Sequence, residues 1–175
     1  MEQNTLHDLF AEQLGDLHSA EVQLLEALPK MAGAAASREL KEAIERHVNE
    51  TRGQVTRLDQ IYTDVLHQRP GHQTSEAMEG LIRQGQEVLH SGGDPEVKDA
   101  AIIAVAQHIE HYEISAYGTA RALAGKLGYD DAQELLSDTL DEESQAGERL
   151  TCLAMGGISA EGMGETEARG SGSRQ

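Results

Sequence analysis

Apolar residues recur every three or four positions along the long segments of this chain, which is the spacing of one face of an α-helix. The first segment shows it at Phe10, Leu14, Leu17, Leu24 and Leu28. Such faces are buried by packing helix against helix. We therefore predict an all-α fold with no strand.

Start and stop signals divide the chain into five predicted helices. They run from about Thr5 to Met31, Ser37 to Val65, Ser75 to His90, Asp94 to Leu127 and Asp130 to Met155. Pro29 is expected to kink or end the first helix, and Gly33 to stop it. Gly128 is expected to stop the fourth helix, and Asp130 to cap the fifth.

The lengths of the connections predict how these helices pack. The short link between the first two helices makes them antiparallel neighbours. Four long helices then form two hairpins, joined by a long crossover that carries the short third helix. This is the ferritin-like arrangement of a four-helix bundle, and its rival is a plain up-down bundle with an extra helix. We predict a bundle domain over residues 1–155 and a disordered Gly/Ser/Glu-rich tail over 156–175.

Charge and composition exclude several classes of function. The chain has 31 acidic and 14 basic residues, and its formal net charge is −17. Such a surface repels nucleic acid and anionic lipid. No apolar run approaches the ~20 residues of a membrane span, and the first residues do not resemble a signal peptide. The one cysteine, Cys152, is interpreted as a small, buried or half-buried apolar residue near a helix end, and it allows no intramolecular disulfide. We expect a cytoplasmic protein.

Each long helix carries a carboxylate on its apolar stripe near mid-length. Glu21, for example, lies between Leu17 and Leu24, where an apolar residue belongs. The candidate metal ligands selected in this way are Glu21, His47, Glu50, Glu110, Glu113 and Glu143. A single helical Glu is usually solvated, but carboxylates from four helices cannot share a core without cations or protons. Carboxylate with imidazole suits iron, manganese or zinc. The pattern predicts a metal site.

Other polar residues near these stripes are weaker candidates. His108 and His111 are one turn apart but off the stripe, and we interpret them as surface or neighbouring residues. Tyr117 either hydrogen-bonds the site or fills the core, and Glu142 is interpreted as solvated. Gly-rich phosphate loops, Ser–His–Asp arrangements and paired cysteines are absent from the sequence. No organic cofactor is predicted.

Several longer strings resemble the YciE/YciF family of ferritin-like bacterial stress proteins. They are LGDLHSAE at residues 14–21, ALPKMA at 27–32, HVNET at 47–51, EAMEGL at 76–81, QHIEHYEI at 107–114 and YGT at 117–119. The resemblance covers about Leu6 to Ala154. It implies a five-helix ferritin-like domain, a homodimer, an iron or manganese site and a link to general stress responses. It does not supply an activity.

The wider ferritin-like superfamily places a single Glu on each of two helices and a Glu-x-x-His pair on each of the other two. Carried over to this chain, Glu21 and Glu110 are the single carboxylates of a site for two ions. Glu50 and Glu143 are then the bridging ones.

The expected histidines of those pairs are missing. Gly53 and Ala146 stand in their places, whereas His47 precedes Glu50 by one turn. Two hypotheses remain open. One is a metal-binding stress protein that handles iron, manganese or peroxide, and a di-metal oxidoreductase if it is an enzyme. The other is a metal-free ferritin-like dimer that acts as an interaction module.

Overall fold

The structure is a computed structural model that describes residues 5–71 and 73–162, with side chains as far as residue 156. This part of the chain contains five α-helices and no strand. The helices are α1 (Leu6–Ala34), α2 (Arg38–Asp64), α3 (Glu76–His90), α4 (Pro95–Leu127) and α5 (Asp130–Gly162). The all-α prediction is confirmed.

Capping residues set most of the helix ends. Ser37, Ser75 and Asp94 are the N-caps of α2, α3 and α4, and each side chain accepts a hydrogen bond from a backbone N–H in the first turn. Gly128 ends α4 with a φ of 73°, which is favourable only for a residue without a Cβ. These boundaries agree with the sequence prediction to within a residue.

Two predicted boundaries differ in the structure. Helix α1 continues through Pro29 and Gly33 to Ala34, so the predicted stop at Gly33 is wrong. The last turn of α1 buries Met31 and Ala32, and this packing offsets the hydrogen bond that a proline nitrogen cannot donate. Helix α5 begins at Asp130 itself and continues to Gly162, past the predicted end. The rest of the predicted tail, 163–175, lies outside the described residues.

The long helices pack as two hairpins. Helix α1 packs on α2 and α4 packs on α5, while α1 with α4 and α2 with α5 close the ring. The crossover after α2 places α3 against α1 and α4. This is the predicted bundle with one long crossover. No helix of the described residues has the length and apolar character needed to cross a membrane.

A buried carboxylate fixes the turn between α1 and α2. Asp99 of α4 accepts hydrogen bonds from the backbone N–H groups of Ala36, at 2.8 Å, and Ser37, at 2.6 Å. These two hydrogen bonds connect the first hairpin to the second at one end of the bundle.

The apolar core consists of two separate clusters. The first lies near the α1–α2 turn and its buried members include Leu24, Leu28, Leu40, Ile44, Met78, Ile102, Ile109 and Leu150. The second lies toward the other end and includes Phe10, Leu14, Leu17, Leu58, Ile61, Tyr117, Ala120 and Leu136. Every long helix contributes to both clusters. On α2, α4 and α5 the two clusters are separated by two or more turns that carry buried polar residues, whereas on α1 a single polar residue, Glu21, lies where the clusters meet.

Candidate metal centre

A layer of buried polar side chains separates the two apolar clusters. We define this polar layer as Glu21 from α1, His47 and Gln54 from α2, Glu110 and Glu113 from α4, and Glu143 from α5. Each residue is at most 4% exposed. The layer arises because residues three, four or seven apart share a helix face, so the one or two polar residues on each long helix interrupt its inward apolar stripe at a similar height.

Four members of the layer converge closely. His47, Glu110, Glu113 and Glu143 each offer one ligand atom, and these atoms lie within 4.8 Å of one another. Nε2 of His47 is 3.6 Å from Oε1 of Glu110 and 3.7 Å from Oε2 of Glu113. These separations are too long for good hydrogen bonds. They leave the oxygens and nitrogens facing a common space.

Two hydrogen bonds orient carboxylates of the layer, and Gln54 also donates to Glu142 at the edge of the layer, at 3.2 Å. The Tyr117 hydroxyl donates to Oε1 of Glu21 at 2.5 Å. The Gln54 amide nitrogen donates to Oε1 of Glu143. Both carboxylates are thereby oriented, and each keeps a second oxygen without a partner.

Buried polar atoms without a hydrogen-bond partner are concentrated in this layer. In the described part of the chain there are eight such side-chain atoms, and all belong to the polar layer. They include both nitrogens of His47 and both oxygens of Glu113. An unpaired polar atom in a protein interior costs about 1–3 kcal/mol. Eight such atoms at one height of the bundle indicate that the layer is suited to bind a ligand that supplies their partners.

Burial raises the carboxyl pKa values in the layer. Burial, opposed by the charge of His47 and reinforced by that of Glu113, raises the pKa of Glu110 to about 7. Burial and the charge of Glu143 raise the pKa of Glu113 to about 7. The pKa values of Glu21 and Glu143 are also raised well above the ordinary range, chiefly by burial. At neutral pH the layer therefore shares protons among its carboxyl groups.

The imidazole in the layer responds in the opposite way to burial. Burial lowers the pKa of His47, but the surrounding carboxylates, first Glu110, raise it further, and the net direction is upward. Without a metal ion, His47 therefore tends to carry a charge that offsets part of the carboxylate charge. A metal ligand must instead be neutral imidazole, so a bound ion has to displace this proton.

The sixth predicted ligand, Glu50, lies at the edge of the layer. Its Oε2 is 2.7 Å from Nη2 of Arg149 and 3.6 Å from Nδ1 of His47. Burial raises its pKa, but His47 and Arg149 outweigh burial and the net shift is downward. Glu50 is therefore an ionised, paired carboxylate, and the structure does not bring it into the group of four. Its predicted bridging position is not the one observed.

The structure also locates the weaker candidates. Tyr117 is fully buried and bonds Glu21, so it both contacts the layer and fills the core. His108 and His111 are exposed, as expected. Glu142 is not simply solvated, because Arg57 donates two hydrogen bonds to it, at 2.5 and 2.7 Å. Cys152 is exposed rather than half-buried.

Two residues of the site are absent from the predicted ligands. Gln54 is fully buried in the layer, and it lies on the same stripe four residues after Glu50, but an uncharged amide is not a usual metal ligand. Arg149 reaches Glu50 from a helix 99 residues away in the sequence, and no local pattern reports that contact.

The residues of the layer fit a divalent transition metal. Carboxylate oxygens with one imidazole are donors suited to manganese and iron. Four carboxylates from Glu21, Glu110, Glu113 and Glu143 carry four negative charges when ionised, and two divalent cations neutralise four charges. The unpartnered atoms described above would then gain ligand bonds.

Comparisons with known proteins place this chain in a family. The model of the family described as Domain of unknown function (DUF892) matches residues 5–163. Protein YciF of Escherichia coli (strain K12) is 43% identical over 158 residues, which cover 90% of this chain and 95% of YciF.

Solved structures agree with the sequence match. The crystal structure of the Escherichia coli stress protein YciF has a TM-score of 0.87 and 42% identity, covering 90% of this chain and 99% of that one. YcfI from Rhodopseudomonas palustris, provisionally described as a structural protein, has a TM-score of 0.82 and 41% identity, covering 86% and 95%. A protein from Xanthomonas campestris pv. campestris has a TM-score of 0.69, covers 88% and 94%, and is only 19% identical, so it supports the fold alone.

Proposed function

This chain belongs to the DUF892 family and is a relative of the stress protein YciF, and from that premise we propose that it is a stress-response protein that binds two iron or manganese ions in its polar layer. His47, Glu110, Glu113 and Glu143 are the principal ligands, and Glu21 supplies a further carboxylate. The proposed setting is the cytoplasm, in keeping with the single cysteine.

The observation that carries the proposal is the set of eight buried, unpartnered polar atoms in one layer. Protons offset charge and let neighbouring carboxyl groups hydrogen-bond to one another. Divalent cations offset the charge and also bind oxygens and nitrogens directly. The proposed number of two follows from charge, because a single ion would leave two carboxylates of the layer either buried and ionised or protonated.

The chain's own residues would have distinct parts in the site. Tyr117 and Gln54 hold Glu21 and Glu143 in orientation by the bonds described above. The two apolar clusters exclude water from both sides of the layer. Iron or manganese supplies one-electron redox capacity when bound. A layer with one imidazole among the four converging residues is suited to hold and retain such ions, and sequestration of metal is the activity that we propose.

The proposal is tested by metal analysis and titration. Protein purified without chelator should contain iron or manganese. The metal-free protein, titrated with Mn²⁺ under electron paramagnetic resonance detection of the free ion, should bind two ions per chain. Glu113→Gln combined with Glu143→Gln should abolish tight binding, whereas Glu148→Gln, an exposed carboxylate on α5, should leave it unchanged. Equal and weak Mn²⁺ binding by all three proteins would contradict the proposal.

A second candidate function is supported by a different observation. Protonation and the bonds from Tyr117 and Gln54 allow the layer to exist without metal, and YcfI is described as structural. In that case the chain is a metal-free interaction module. In either case we propose a homodimer, as the family resemblance implies, and light scattering after size exclusion measures it. A chain that purifies without metal and binds none on titration favours the interaction module.

A further inference from the structure

Glu50 and Arg149 form an ion pair between α2 and α5 at the rim of the polar layer. Nη2 of Arg149 is 2.7 Å from Oε2 of Glu50, and the two side chains are 26% and 21% exposed. They are one point at which the buried layer meets solvent; the other is Glu142, which is 29% exposed and accepts a hydrogen bond from Gln54.

The pair is connected to the interior of the layer. The same oxygen of Glu50 that accepts from Arg149 lies 3.6 Å from Nδ1 of His47. On the far side of the imidazole, Nε2 lies 3.6 Å from Glu110. Glu50 therefore lies between the guanidinium of Arg149 at the rim and the imidazole of His47 in the layer.

A small cavity lies at the same place. It has a volume of about 10 Å³, and its lining includes Arg149, His47 and Glu110. This volume is near the lower limit for one water molecule. The remaining lining residues are Leu28, Ala43, Ile44, Ala106, Ala146 and Leu150. The guanidinium and two members of the layer thus face one space between the four long helices.

The charge of Arg149 acts on the layer. It is one of the charges that lower the pKa of Glu110, although burial dominates that residue. A guanidinium cannot lose its proton in a protein. An incoming divalent cation would therefore meet a permanent positive charge at the rim, next to a carboxylate that is already paired.

We propose that Arg149 is an internal counter-cation of the metal-free layer, and that an entering divalent cation displaces it from Glu50. Glu50 then becomes a ligand at the rim, and Arg149 turns to solvent. This proposal rests on the proposed function, because it requires that the layer binds metal. It assigns opposite effects on metal binding to the two members of one ion pair.

Mn²⁺ affinity and the stability of the metal-free protein test this assignment together. Arg149→Met keeps the aliphatic stem and removes the charge, so it should raise Mn²⁺ affinity roughly tenfold and lower the melting temperature in EDTA. Glu50→Gln removes a ligand and leaves the guanidinium at the rim, so it should lower Mn²⁺ affinity roughly tenfold. A pair that merely tied α2 to α5 would be broken equally by both variants, and affinity would change in the same direction.

The Arg57–Glu142 pair supplies the control, because it also joins α2 to α5 at the border of the layer, where Gln54 donates to Glu142 at 3.2 Å. It is bonded to none of the four converging residues and does not line the cavity. Arg57→Met should lower the melting temperature but change Mn²⁺ affinity by less than about threefold, the range of context effects on an exposed pair. If wild type binds Mn²⁺ and Arg149→Met binds it no more tightly, the counter-cation assignment is wrong and the proposed function stands. If wild type binds no Mn²⁺, both fail.

Discussion

Replacing Glu113 by glutamine should stabilise the metal-free protein at alkaline pH, although it alters a fully buried residue of the site. Both Glu113 oxygens lack a hydrogen-bond partner, and burial together with the charge of Glu143 raises the pKa of Glu113 to about 7. Glutamine has nearly the same shape, so it opens no cavity. Its N–H groups find acceptors among the neighbouring carboxylate oxygens.

The magnitude follows from the pKa of Glu113 in the folded and unfolded chain. Between the unfolded value near ~4.3 and the folded value of about 7, the native state binds more protons than the unfolded state. The free energy of unfolding therefore falls as pH rises through this window. Above pH ~7 the loss is complete and amounts to about 4 kcal/mol, at about 1.4 kcal/mol per pKa unit. Below pH ~4 the carboxyl is protonated in both states, and the loss vanishes.

Thermal melts in EDTA at pH 4.5 and pH 8 measure this difference. At pH 8 the Glu113→Gln variant should melt roughly 8–16 °C above wild type, and at pH 4.5 the two should nearly coincide. Excess Mn²⁺ at pH 8 should raise the melting temperature of wild type more than that of the variant. The exposed Glu148→Gln variant should match wild type throughout. A Glu113→Gln protein that melts below wild type at pH 8 in EDTA would refute the reasoning.

Three further measurements probe the same structure. Tyr117→Phe removes the hydroxyl that donates to Glu21. It should lower the free energy of unfolding by about 1–3 kcal/mol in urea denaturation, and an unchanged midpoint would contradict the bond. Asp99→Ala leaves two backbone N–H groups of the α1–α2 turn without an acceptor, and should cost about 2 kcal/mol by the same assay, whereas a cost near zero would show that water replaces the carboxylate. Mn²⁺ binding should release more protons at pH 6 than at pH 8, because Glu110 and Glu113, with pKa values of about 7, are mostly protonated only at the lower pH. Proton release is measured with an indicator dye in weak buffer, and equal release at the two pH values would place the ions outside the layer.

The fold and the centre of the site were predictable because they depend on local patterns. The helical period and the caps determine the elements, and a Glu at an apolar position marks a helix face turned inward. Glu21 and Glu143 are found by that signal alone. Gln54 lies on the same stripe, but an uncharged amide is not a usual ligand, so the pattern alone does not mark it as part of the site.

The residues that the sequence did not place depend on contacts between distant helices. Glu50 is one turn from His47 and lies at the border of the inward face of α2, where a small rotation of the helix moves a side chain between the layer and the rim. The ion pair with Arg149, 99 residues away, holds Glu50 at the rim. Pro29 shows the same limit for secondary structure, since the buried last turn of α1 outweighs a local helix-breaking signal.

We expect the division of the apolar core into two clusters to make the two ends of the bundle separate cooperative units. Each cluster draws on all four long helices, so each end has a core of its own. Local unfolding begins where apolar burial is sparse, which here is the middle of the helices rather than their ends. Backbone amides around Glu110 and Glu143 should therefore exchange hydrogen faster in the metal-free protein than those around Ile102 and Ala120. Ions held by all four helices at that height would join the two units, and the chain would then unfold in a single step.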